Sequence, residues 1–85
     1  MDKIFHKIIE VSIKENLMII AKFKDGTIKV YDIKNLIDKY EIFNDLKNKK
    51  LFKLVKVDQG GYGLSWNENI DLSSEEIWKN GIKIN

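Results

Sequence analysis

The chain predicts a small α+β domain, a meandering antiparallel sheet of about five strands with short helices packed on it, in the order β-β-β-α-β-β-α. Three observations carry this. Leu17 to Ile33 (LMIIAKFKDGTIKVYDI) is two apolar-alternating runs around Asp25-Gly26, the dipeptide that best marks a tight hairpin. Leu72-Ser73-Ser74-Glu75-Glu76-Ile77 opens a helix, with Ser73 and Glu76 as a capping box and Leu72 and Ile77 as a hydrophobic staple. The 85 residues, 44% apolar and 33% charged, suit one domain (1–85) with a modest core.

Residues 4–13 (IFHKIIEVSI) read as a first strand, with Ile9, Val11 and Ile13 on one side and Glu10, Ser12 and Lys14 on the other. Lys14-Glu15-Asn16 turns the chain into the hairpin. A two-residue turn at Asp25-Gly26 would set Phe23 opposite Ile28, Ala21 opposite Val30 and Ile19 opposite Asp32 on the buried side. Lys22 would then meet Lys29 on the other side, a like-charge pair tolerable only in water. Asp32 is a good N-cap for a helix from Ile33 to about Tyr40, because Ile33, Leu36, Ile37 and Tyr40 fall on one stripe. Asn44 or Asp45 can cap a further turn through about Asn48.

Leu51 to Asp58 (LFKLVKVD) reads as a fourth strand, although its alternation is imperfect. Gln59-Gly60-Gly61-Tyr62-Gly63 is a wide hairpin turn. It sits between two strands and opens no helix, so the phosphate-cradling use of glycine clusters lacks its context. Leu64-Ser65-Trp66 is a fifth strand, Asn67-Glu68-Asn69 a turn, and Gly81 a stop after the last helix.

Composition excludes several chemistries. There is no cysteine, hence no disulfide or thiolate site, and the single histidine, His6, cannot build a multi-histidine metal centre. No apolar run approaches the ~20 residues of a membrane helix, and the N-terminal residues lack a signal peptide's apolar stretch. The expectation is a cytoplasmic protein with no cofactor, no metal and no membrane partner. Asp25, Asp32, Asp58, Asp71, Glu75 and Glu76 have turn or capping explanations in the main, so an enzyme is not expected.

All fifteen basic residues are lysine, and the net charge is +2. Lysine lacks the bidentate fork of arginine, which disfavours guanine readout and planar carboxylate clamps. The charge is unevenly spread. Residues 44–56 carry Lys47, Lys49, Lys50, Lys53 and Lys56 against Asp45 alone, whereas residues 57–85 carry two lysines against five acids. The basic island, with Tyr62 and Trp66 near the glycine turn, forms the candidate partner-binding set. Tyr and Trp offer large contact area for little entropy. Two uses compete: a protein partner, or nucleic acid gripped through its phosphates.

The order Phe23-Lys24-Asp25-Gly26, Tyr31-Asp32-Ile33, Leu51-Phe52, Val55, Val57-Asp58, Gly60-Gly61, Trp66, Asp71-Leu72 and Ile77-Trp78 resembles the bacterial domain-of-unknown-function family 2442 over roughly Ile9 to Trp78. The chain departs from that family's pattern at Asn67, Asn69 and Ser74, where the family tends to carry Pro, Gly and Pro. The resemblance implies a compact α+β fold with no known catalytic residues. It also implies small stand-alone proteins, sometimes joined to helix-turn-helix modules and often encoded beside a second small gene in a toxin–antitoxin-like arrangement, including in phage and mobile elements. On that basis a non-catalytic protein-binding role is expected, antitoxin-like or inhibitory toward a larger protein or ribonucleoprotein machine. The alternative is a nucleic-acid-binding accessory protein using the Lys47–Lys56 patch.

Overall fold

The computed structural model describes residues 6–85. The fold is α+β, as its sequence predicts, but its strands form two antiparallel sheets. β1 (Ile8–Lys14), β2 (Met18–Phe23) and β3 (Ile28–Asp32) lead into α1 (Lys34–Ile37), a 3-10 segment at Glu41–Lys47 and α2 (Lys49–Phe52). Then follow β4 (Lys56–Val57), β5 (Gly63–Ser65), β6 (Asp71–Ser73), α3 (Ser74–Asn80) and β7 (Ile82–Lys83). One sheet runs β1-β2-β3-β7, the other β4-β5-β6. The predicted start of the first strand at Ile4 lies outside the described residues.

The central hairpin forms with a register one residue from the two-residue reading. Ile19 pairs with Tyr31, Ile20 with Val30, Ala21 with Lys29 and Lys22 with Ile28. Phe23 N–H donates to the Thr27 carbonyl at 2.8 Å, so the loop is Lys24-Asp25-Gly26. A two-residue type I′ turn requires positive φ at both central positions. Only Gly26 supplies it, at φ 93, while the Asp25 carboxylate accepts the Thr27 N–H at 2.9 Å. The result is a turn with a left-handed glycine in third place, the other common hairpin geometry. A one-residue slip reverses the facing of a whole strand. Tyr31 and Ile33 are therefore buried beside Ile19, Ala21 and Phe23, while Ile28 and Val30 face outward. The expected Lys22–Lys29 pair does not form: Lys29 lies under α3, its Nζ 4.4 Å above the Trp78 ring.

A bulge between Ile8 and Glu10 in β1 puts Ile8, not Ile9, opposite Phe23 in the core. The Asp32 carboxylate accepts the Lys34 N–H at 2.9 Å just ahead of α1, but the N-cap is Ile33 and not the predicted Asp32, and α1 ends by Ile37 and leaves Tyr40 exposed. The predicted strand from Leu51 to Asp58 is helix at its start and strand only at Lys56–Val57. Asn48 decides this, its side-chain oxygen accepting the Lys50 N–H at 2.9 Å.

β5 and the β4–β5 hairpin form as expected, whereas β6 and β7 are additional. Ser73 Oγ accepts the Glu76 N–H at 3.1 Å, which starts α3 as predicted. Glu76 does not complete the box, since its carboxylate takes the Tyr31 hydroxyl and the Asn80 amide instead. Gly81 ends α3 with negative φ. It serves by its small size, because a Cβ there would lie 2.5 Å from the Ile77 carbonyl oxygen. One core gathers Ile8, Ile19, Phe23, Ile33, Leu46, Leu64, Ile70 and Ile77 from both sheets and the segments between them.

Candidate functional site

The structure brings part of the lysine island into one place. A depression of about 840 Å³ is lined by Ile13, Leu17 and Phe52 and rimmed by Lys14, Lys47, Lys49 and Lys53, with Glu15 and Asn16 completing its wall. Two sequence-distant pieces make it, the β1–β2 turn and α2. On α2, residues three and four apart share a face. Lys49, Phe52 and Lys53 therefore look into the depression together, while Lys50 points elsewhere. Lys50 and Lys56 are exposed but do not line the depression.

Each wall is held by specific contacts. A four-residue helix has almost no stability of its own. α2 is fixed by the Asn48 cap at one end and by Trp66 at the other, whose Nε1–H donates to the Phe52 carbonyl at 3.2 Å. The Trp66 ring also stacks on Phe52 at an interplanar angle of 15°. At 4% exposure Trp66 belongs to the core, which corrects its place in the predicted contact surface: it supports the site from beneath and presents no ring to a partner. Trp78 is half-buried, stacked against His6 with ring centroids 3.7 Å apart.

The opposite wall is backbone in an unusual conformation. Asn16 and Leu17 have φ of 65° and 60°. Asn tolerates the left-handed region, but a leucine there costs roughly 1–2 kcal/mol. Leu17 is held because its carbonyl accepts the Ile33 N–H at 2.9 Å, and the Asn16 carbonyl accepts from Lys34 Nζ. The conformation seats the Leu17 side chain in the depression.

Tyr62 stands apart. It is 49% exposed, with Lys7 Nζ 5.4 Å from its ring centroid. The adjoining Gly61 packs on the Ile8 backbone at the far end of β1. Ile8 and Ile13 are about 17 Å apart along a strand, so Tyr62 does not join the lysines. Sequence reasoning did not include Lys14, Ile13, Leu17 and Phe52 in the site, because their meeting depends on tertiary packing. Only Asn16, a residue suited to positive φ, hinted at the turn.

Among the described residues the ion pairs within 4.0 Å are His6–Glu75 and Lys34–Asp32, so the rim lysines have no carboxylate partner there. The described residues contain no cluster of three or more His, Cys, Asp or Glu side chains fit to hold a metal ion. No helix among them is long and apolar enough to cross a membrane. The lining of the depression is thus four lysines and Glu15 around the apolar side chains of Ile13, Leu17 and Phe52.

A family model described as "Protein of unknown function (DUF2442)" matches residues 8–83. The chain belongs to this family. No curated protein and no solved structure matches it. Family 2442 membership thus agrees with the sequence resemblance and with the α+β architecture, and it assigns no activity.

Proposed function

We propose that this family 2442 member is a non-catalytic protein-binding module of the cytoplasm. It acts in the manner of an antitoxin, or as an inhibitor of a larger protein or ribonucleoprotein machine. The observation that carries this reading is the rim of Lys14, Lys47, Lys49 and Lys53 around Ile13, Leu17 and Phe52. An acidic partner segment bearing one apolar side chain fits both features. The lysines steer the encounter and fix orientation, and desolvation of the apolar floor supplies affinity. Exposed charge pairs are individually weak, so binding should fall as salt rises.

The second reading, a nucleic-acid-binding accessory protein, uses the same lysines on phosphates. It lacks a stacking platform beside them, since Phe52 is buried and Tyr62 lies at the other end of β1. The test is affinity capture of the tagged chain from its native host with mass spectrometry, run beside a Lys49→Glu/Lys53→Glu variant. The proposal expects a stoichiometric protein partner that the variant and high salt both release. A salt-sensitive gel shift on generic duplex or RNA, abolished by the same variant, would install the second reading. Capture unaffected by the variant would remove the depression as the site.

A further inference from the structure

β1 stands at the end of the four-stranded sheet, and the ladder shows which of its backbone groups face outward. The Leu17 carbonyl accepts the Ile33 N–H and the Phe23 N–H donates to Thr27, so the odd residues of β2 bond to β3 and the even ones to β1. The Lys24 N–H donating to the Lys7 carbonyl follows the same rule. Glu10, Ser12 and Lys14, opposite Lys22, Ile20 and Met18, therefore hold the β1–β2 ladder. The N–H and C=O of Val11 and Ile13 point the other way, and among the described residues no hydrogen bond meets them. The bulge after Ile8 turns the Ile8 groups outward too, but Gly61 lies against those. The edge is thus closed at Ile8, while at Ile13 it borders the depression.

Resting on the reading of the depression as a partner site, we infer that the partner's segment binds there as an added β-strand, hydrogen-bonded to Val11 and Ile13 along the free edge of β1. Donors and acceptors repeating at every second residue of a strand are matched by one kind of ligand, another extended backbone. Val11 and Ile13 are neither proline nor charged, the residue types that commonly guard an edge against such pairing. Side chains alternate, so those of the added strand that point as Ile13 does enter the depression toward Leu17 and Phe52. Those between them point as Lys14 does, on the cationic rim. A segment alternating apolar and acidic residues meets both demands. A phosphate backbone offers no donor to the Val11 and Ile13 carbonyls, so the edge favours a protein over a nucleic acid.

Amide hydrogen exchange of the full chain, followed by NMR, tests this with a capped hexapeptide alternating valine and glutamate as the probe. With the peptide at roughly ten times its Kd, the Val11 and Ile13 N–H groups should exchange about tenfold more slowly, because exchange then proceeds from the unbound fraction. The Ser12 N–H, already in the ladder, should not change. The same peptide methylated on every backbone nitrogen should not bind. Ile13→Pro removes the outward donor and no ladder bond, which an edge strand tolerates, so it should weaken binding more than Ile13→Ala, which keeps the donor. Binding that Lys49→Glu/Lys53→Glu abolishes, but that tolerates methylation and leaves Val11 and Ile13 exchange unchanged, overturns strand addition and spares the depression as the site. Absence of binding at millimolar peptide also overturns strand addition, while the capture experiment still decides the depression. Protection of the two amides that grows with the concentration of the chain alone places a second copy on the edge and overturns the inference as well.

Discussion

The Tyr31 hydroxyl donates to Glu76 Oε2 at 2.8 Å, tying the buried side of the sheet to α3. Burial, then the hydrogen bond to Glu76, pushes the Tyr31 phenol well above its ordinary value. Because the folded value is raised, this contribution is complete below the unfolded tyrosine value near 10 and is lost as pH rises beyond it. Absorbance titration should show the Tyr31 phenol ionising only well above the ordinary tyrosine range, together with alkaline unfolding. Tyr31→Phe should cost about 1–2 kcal/mol in urea denaturation at neutral pH and remove that alkaline step. A variant as stable as wild type would show that the bond contributes little.

Gly26 and Gly61 both have positive φ, but their surroundings differ. A Cβ on Gly26 meets nothing within 4 Å, whereas one on Gly61 would lie 2.6 Å from the Ile8 carbonyl oxygen. Gly26→Ala therefore carries only the left-handed backbone term, about 1 kcal/mol. Gly61→Ala adds a clash with backbone that cannot rotate away, and should cost more than about 2 kcal/mol. Denaturation midpoints of the two variants check the order, and equal losses would contradict the packing at Ile8.

The contrast between Gly26 and Asp25 also explains what the sequence could disclose. Asp25-Gly26 marks a reversal, but whether the loop holds two or three residues depends on Asp25 bonding Thr27, a local choice that the dipeptide alone does not encode. That choice turned Tyr31 inward and Val30 outward. Ser73 and Glu76 were legible because capping is local, within one turn. β6 and β7 were not, since strands of three and two residues exist only through pairing with β5 and β3. Leu51-Phe52 reads equally as strand or helix until Asn48 caps it and Trp66 docks beneath. The lysine cluster was visible, while its union with Lys14 and Leu17 arises only when the β1–β2 turn meets α2.

His6 fastens the start of the described chain to α3. Its backbone N–H donates to Glu75 Oε2 at 2.9 Å, and its ring stacks on Trp78. The backbone bond, with the ring beside it, holds the Glu75 carboxyl below its usual range. A depressed carboxyl contributes fully above the unfolded glutamate value, about 4.3, and loses that contribution as pH falls through the lower folded value. The Trp78 indole N–H resonance should therefore shift as the clasp opens in acid. Glu75→Gln should abolish that shift while leaving the chain folded; its persistence would assign the acid response to another group.

Asn48 links stability to recognition. Its side chain accepts from Lys50 N–H at 2.9 Å and more weakly from Leu51 N–H at 3.4 Å, and α2 carries Lys49 and Lys53 on the face it orients. Asn48→Ala should cost about 1 kcal/mol, the usual loss of an N-cap, whereas Asn48→Asp should keep the cap. With the helix loosened, the two lysines no longer converge over Phe52. Partner capture should then weaken in Asn48→Ala under conditions where denaturation shows the domain still folded, and recover in Asn48→Asp. Binding that follows global stability alone, with no separate loss in Asn48→Ala, would detach α2 from the recognition surface.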